Sequence, residues 1–230
     1  MSQFSQGLVC FLDILGFRSM VANDIAKGES ANLQTLQELM AEVAPSAFRA
    51  GVFARQFSDS IILSAPFQKE RLLSFLDYVT SFQRRCVCRS VLIRGGIGIG
   101  HHYASETLLF SEGLIRAYEI ESTTSRYPRV VVDEELLLLA RHLDNSLETG
   151  LTQRLMVDFD GAPFLDYLAG GNLDEHERSV KQILQGRALV SPSVLEKHRW
   201  LAEYHNHKLC ERGDPAVDFG LRRMARWPGP

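Results

Sequence analysis

Apolar residues along the chain change period abruptly, and each change marks an element. From Leu8 to Ile14 the run is almost wholly apolar, broken by Asp13, which predicts a buried strand. Gly16 to Lys27 reads as the helix that this strand feeds. Leu33, Leu36, Leu39, Met40 and Val43 recur at helical spacing between Asn32 and Val43, and Pro45 predicts the stop. Val52 to Phe57 and Ser60 to Ala65 read as strands separated only by Ser58 and Asp59, a hairpin with an aspartate at its tip. Next come an amphipathic helix from Leu72 to Cys86, a strand from Val91 to Gly100 that is glycine-rich in its second half, and a helix from Ser111 to Ser122. A short strand from Val130 to Val132, a helix from Glu134 to Leu143 and a hairpin around Asp160-Gly161 follow. Asp174 to Leu184 and Ser193 to Cys210 close the pattern as helices. The order is β-α-α-β-β-α-β-α-β with further elements behind it, and without internal repeat.

Composition narrows the setting. A chain of 230 residues, 45% hydrophobic and 23% charged, builds one large domain or one domain with an appendage. The expected division is a catalytic domain over residues 1–150, a hairpin and helices packed on it over 151–213, and a loosely ordered tail over 214–230 carrying Arg222, Arg223 and Arg226. A formal net charge of −3 gives no general attraction to nucleic acid or anionic membranes, so neither is expected as a partner. Cys10, Cys86, Cys88 and Cys210 lack metal-ligand spacing and read as reduced, buried thiols. With neither a charged-then-apolar leader nor a long apolar run, the expected location is the cytoplasm.

Two carboxylates stand out. Asp13 and Asp59 each sit in a short apolar strand pattern, where an uncompensated charge is costly. One partner serves both: a divalent cation, since Mg²⁺ or Mn²⁺ takes one or two carboxylates plus substrate phosphate oxygens. The alternative for each is an aspartate that caps the next helix. The backbone N–H groups of Ile14, Leu15, Gly16 and Phe17, where the first helix begins, are placed to cradle phosphates.

Residues 11–17 (Phe-Leu-Asp-Ile-Leu-Gly-Phe), Ser58-Asp59, and Arg94 to Gly100 resemble the metal and glycine motifs of the class III nucleotide cyclases, in order and in register. The resemblance implies a ferredoxin-like α+β palm, a mostly antiparallel sheet flanked by helices, with a C-terminal helical extension. It also implies cyclisation of a nucleoside triphosphate with loss of pyrophosphate. Two Mn²⁺ or Mg²⁺ ions per site would be held by Asp13, Asp59 and the Ile14 carbonyl. A homodimer would share each site, one subunit giving the aspartates and the other the helix of residues 111–121.

The departures matter equally. Where the family has a ribose-orienting Asn and a transition-state Arg, this chain has Ile115 and Glu119; where purine cyclases read the base with Lys and Asp, it has Arg55 and Leu108. Together with Tyr127-Pro-Arg-Val and the distal Lys197 to Asn206, these features are most similar to the bacterial pyrimidine cyclases of the Pycsar antiphage system. That branch implies UTP or CTP as substrate and a cyclic nucleotide that signals to a separate effector. The alternative is a degenerate domain that binds nucleotide, or only a partner, without turnover.

Arg55 alternates with Phe53 and Phe57 on one strand face, which suits contact with a pyrimidine carbonyl; an arginine turned to solvent is the competing reading. An arginine donates only, which favours uracil O4 over the cytosine amino group. Phe53, Leu108 and Tyr118 are the alternative candidates for reading the base should Arg55 face solvent, with Phe53 and Tyr118 also candidate substrate contacts, and Arg94 is a triphosphate contact or a strand-end salt bridge. Arg116, Arg126 and Arg129 are candidates for the missing transition-state cation, with Arg129 also a candidate substrate contact. His101-His102 reads as a turn after Gly100, since adjacent strand histidines face opposite sides and do not chelate one ion. His198, His205 and His207 read as packing and surface residues, and Asp158 and Asp160 as turn formers.

Overall fold

The computed structural model describes residues 4–105, 107–185 and 191–221, so Arg222, Arg223 and Arg226 lie outside the described residues. Strand β1 (Ser5–Ile14) is central: its alternate residues Leu8, Cys10, Leu12 and Ile14 are all buried on one side. Each fully buried aliphatic side chain of this kind contributes about 1.5–3 kcal/mol. Helix α1 (Phe17–Lys27) and helix α2 (Ala31–Ala50) follow. The hairpin of β2 (Phe53–Phe57) and β3 (Ser60–Pro66) then lays β3 antiparallel on β1. After α3 (Leu72–Cys88), β4 (Ile93–Ala104) pairs antiparallel with the other edge of β1, and β5 (Leu109–Ser111) folds back on the far end of β4. Helix α4 (Glu112–Thr123) leads to β6 (Val130–Val132), which runs parallel to β4. Helices α5 (Glu134–Leu143) and α6 (Asn145–Thr152) precede the hairpin of β7 (Leu155–Val157) and β8 (Pro163–Leu165), and α7 (Leu173–Leu184) and α8 (Pro192–Arg212) end the order.

The result is an eight-stranded sheet, β2-β3-β1-β4-β6-β8-β7 with β5 off the path, and it is the expected α+β arrangement of a mostly antiparallel sheet flanked by helices. Two cores form. Val130, Val132 and Leu165 join β1 and buried residues of α2, α3 and α5 in one. The alternate Val131 and Phe164 join Tyr167, Val180, Trp200 and Leu201 in the other, so α7 and α8 pack as the predicted extension. At the start of the expected loose tail two residues are tied to the fold: Asn206 bonds Val217 through both amide atoms, and Phe219 is buried against His205. No helix among the described residues is long and apolar enough to cross a membrane.

Several expectations change. Pro45 does not stop α2. Ala41 and Pro45 lie on the exposed side of the helix, so the Ala41 carbonyl that Pro45 cannot bond faces water and the helix runs on to Ala50. Strand β5 and helix α6 were not predicted. Histidines 101 and 102 lie within β4 rather than in a turn: exposed His101 bonds Glu112, and buried His102 bonds Ser111 on the opposite face. Cys10 and Cys86 are buried thiols, but Cys88 is half-buried and Cys210 exposed.

Between α7 and α8 the His176 and His205 rings stack with their Nδ1 atoms 3.0 Å apart, and the Tyr167 hydroxyl lies 3.0 Å from His176 Nε2. Burial pushes His176 down to about 3, with the His205 charge adding to the shift. A folded pKa below the unfolded value means that the stability is present above about pH 6.5 and is lost as pH falls toward the folded value. Unfolding free energy should therefore drop by roughly 1.4 kcal/mol per pH unit below about pH 6. In a His176→Gln variant, urea titrations should show a shallower acid slope; an unchanged slope would place the proton uptake elsewhere.

Candidate functional site

Asp13 ends β1 between two neighbours: Ser60 on β3 and Arg94 on β4 stand directly across from it in the ladders. The Ile14 N–H donates to the Asp59 carbonyl at 2.8 Å, so the hairpin tip is fastened beside the end of β1. The structure thus brings Asp13, Ile14, Asp59 and Arg94 together. Arg94 Nε lies 3.1 Å from the Asp13 carboxylate, and its Nη2 lies 2.7 Å from Glu121. Among the described residues nothing pairs with the Asp59 carboxylate.

Two local devices set this geometry. Gly16 caps α1 in the left-handed region (φ 81°), which a side chain disfavours, and so starts the helix directly after the strand that carries Asp13. Ser58 is left-handed too (φ 55°), a conformation costing a residue with Cβ roughly 1–2 kcal/mol. Ser58→Gly should therefore raise the unfolding free energy by up to about 1 kcal/mol after glycine's own entropy loss. Urea denaturation checks this; a clear loss of stability would contradict the strained tip.

The glycines of β4 also have a structural reason. Side chains added at Gly96, Gly98 and Gly100 would strike the Ala117 carbonyl, the Arg116 Cβ and the Gly113 N of α4. Helix α4 therefore lies flush on the sheet, over the face that carries Asp13, with Gly113, Ala117 and Glu121 as its buried stripe. Glu121 is 4% exposed, and burial raises its pKa. Arg94 opposes that shift, while Asp13 and Asp59 add to it. Sequence reasoning passed over Glu121, although its i+4 spacing from Ala117 was the available signal. Lys197 of α8 was also missed as a neighbour of Asp13. Burial lowers its pKa, with Arg94 and Arg126 in the same direction, while Glu196 and Asp13 oppose the shift. Its ammonium bonds Ser193 Oγ at 2.9 Å.

The phosphate cradle is smaller than expected. The Ile14 and Leu15 N–H groups are spent on the Asp59 and Leu92 carbonyls, leaving Gly16 and Phe17 at the helix start. Arg55 and Leu108 come together: the Arg55 guanidinium donates to the Ser105 carbonyl at 2.9 Å and lies over Phe53, and Ser105 bonds Leu108 in the same turn. Tyr118 is 54% exposed and meets Phe11 edge-on. Arg116 does not turn toward Asp13 in this chain; it bonds Glu135 and approaches Asp133, which raise its pKa. Arg126 pairs with exposed Glu196. Arg129, expected at the substrate, is fully buried. It grips Asp158 and Asp160 through both terminal nitrogens, and the Trp200 indole shares Asp158, so its charge is neutralised within the fold. Asp158 and Asp160 still flank their turn, but their second role is to neutralise Arg129.

Among the described residues no group of three or more His, Cys, Asp and Glu side chains has the arrangement of a metal site. Asp13 and Asp59 nevertheless offer the hard carboxylate oxygens that suit a divalent ion completed by substrate oxygens: Asp59 is uncommitted among the described residues, and Asp13 is held by Arg94, which a bound ion would have to displace.

No family model matches the chain, and no curated protein does. Among solved structures it is similar to the adenylyl cyclase CyaB from P. aeruginosa, at 12% identity over 70% of this chain and 93% of that one, with a TM-score of 0.46. It is also similar to the monomeric guanylyl cyclase domain of the RhoGC fusion protein from the aquatic fungus Blastocladiella emersonii, at 18% identity over 70% and 94%, with a TM-score of 0.46. A third is the guanylate cyclase domain of RhGC from Catenaria anguillulae in complex with GTP, at 16% identity over 70% and 93%, with a TM-score of 0.43.

Proposed function

We propose that this chain is a metal-dependent pyrimidine nucleotide cyclase that converts UTP or CTP to the 3′,5′-cyclic monophosphate and pyrophosphate. The observation that carries the reading is the junction of Asp13, Asp59, Arg94 and the Gly16-capped helix start at one end of β1. Asp13, Asp59 and the Ile14 carbonyl are the groups that would hold Mn²⁺ or Mg²⁺. When bound, such ions acidify an attacking hydroxyl and neutralise charge on departing phosphate. The chain's own residues orient the substrate. Gly16 and Phe17 N–H groups receive phosphate oxygens, favoured by the helix dipole. Arg94, already facing the carboxylates, donates to the triphosphate. Held over Phe53 beside Leu108, Arg55 reads the pyrimidine carbonyl from one side of the site.

A homodimer completes the site in this reading. Ile115 (60% exposed) and Tyr118 on α4, with Leu108 and Phe110 beside them, are large apolar side chains left in solvent, as a face awaiting a second copy would be. The product serves as a second messenger in antiphage defence, acting on a separate effector, and the enzyme works in the cytoplasm. One observation favours the second reading, a cyclase-like domain that binds without turnover: Ile115 and Glu119 offer no ribose or transition-state contact.

Initial rates with UTP, CTP, ATP and GTP in Mn²⁺ test the substrate class. A pyrimidine should be preferred, UTP above CTP. Arg55→Ala, by leaving a base carbonyl unpaired at a cost of about 1–3 kcal/mol, should lower kcat/KM for the preferred nucleotide roughly 10- to 100-fold and shrink the preference equally. Equal losses with all four nucleotides would move Arg55 to the phosphates, and a purine preference would overturn the substrate assignment.

A further inference from the structure

Arg94 is shared between two carboxylates of different need. Asp13 is partly open to solvent, whereas Glu121 is buried on the inner stripe of α4. Beyond Arg94 Nη2, Glu121 Oε1 has no polar partner among the described residues, and that contact is an ion pair not aligned as a hydrogen bond. The third bond of the guanidinium, from Nη1 to the Ser125 carbonyl, is long at 3.4 Å. A buried carboxylate holds its counter-charge more tightly than an exposed one, because its alternative is an unpaired charge in low dielectric. Any cation that arrives at Asp13 repels Arg94, which can swing outward or be retained by Glu121.

We propose that Glu121 is a positioning residue for Arg94: it keeps the guanidinium inside the site when a divalent cation takes Asp13 from it. Without Glu121, Arg94 belongs to Asp13 alone and competes with the ion. With it, Asp13 is released to the ion at low cost, and Arg94 stays where substrate phosphates are expected. This rests on the reading of Asp13 and Asp59 as metal carboxylates.

The test is Mn²⁺ binding without nucleotide, followed by electron paramagnetic resonance, in the full chain and in Glu121→Gln, Arg94→Gln and the double variant. Glu121→Gln should weaken Mn²⁺ about 10-fold and Arg94→Gln should tighten it. In the Arg94→Gln background the Glu121 change should have less than about a threefold effect, since its partner is gone. Equal effects in both backgrounds would mean that Glu121 acts only through its charge, and would overturn the handover while leaving the metal site standing. No Mn²⁺ binding by the unaltered chain, alone or with UTP present, would overturn both. Should Arg94→Gln fail to fold, Arg94→Lys replaces it: a flexible ammonium keeps the charge but not the two-sided grip, so coupling should fall, and full retention would again contradict the proposal.

Discussion

Asp59→Asn leaves the fold standing and removes at least 10²-fold of turnover. The side chain has no partner among the described residues, so its amide isostere breaks no contact that stabilises the hairpin, and the strained Ser58 and the Ile14 to Asp59 backbone bond remain. What changes is the charge offered to a divalent ion, and losing one group that stabilises charge in a transition state typically costs 10²- to 10³-fold. Asp13→Asn should be as severe for turnover and should also loosen Arg94. Steady-state rates beside thermal melts check both variants. More than about a tenth of the activity left in Asp59→Asn, with the fold intact, means that Asp59 holds no catalytic ion.

Arg129→Met is expected to do the reverse, damaging the fold first. It strands the Asp158 carboxylate in the interior with two neutral donors, the Trp200 indole and the Phe159 N–H, and breaks the grip on Asp160. Removing one partner of a buried ion pair costs about 3–5 kcal/mol. At this chain length that lowers Tm by roughly 6–20 °C. A differential scanning experiment separates this from a substrate-contact role, in which the melt would scarcely move while KM rose. Replacing Arg129, Asp158 and Asp160 together by apolar residues should recover part of the loss, since no unpaired charge is then left buried.

The local patterns carried most of the architecture. Apolar runs located β1, β3 and β4, and the two-residue Ser58-Asp59 spacing located the hairpin, because those features depend on neighbours in the chain. The misses depend on distant ones. Pro45 stays helical because it falls on the exposed side of α2, where water can serve the Ala41 carbonyl, and packing of the opposite side carries the helix on. Arg129 looked available because its two aspartates arrive from the β7–β8 turn, which the short Tyr-Pro-Arg-Val segment does not reveal. Helix α6 is a short element capped by Asp144, too brief for its periodicity to stand out. The approach of Asp59 to the Asp13 end of β1 and the glycine cap were legible, whereas the allocation of each arginine was not. Arg94 and Arg116 both follow Leu-Ile, and Arg129 follows Tyr-Pro, yet none of these contexts announces its partners, which are Asp13 with Glu121, Glu135 with Asp133, and Asp158 with Asp160 respectively.

The central claim is a cyclisation that expels pyrophosphate, and phosphorus NMR of a UTP reaction with Mn²⁺, quenched by chelator before acquisition, reads it directly. The account predicts equal amounts of pyrophosphate and 3′,5′-cyclic UMP, no inorganic phosphate, and neither product with Asp59→Asn. UDP with phosphate, linear UMP with pyrophosphate, or unaltered UTP, CTP, ATP and GTP after prolonged incubation would contradict it.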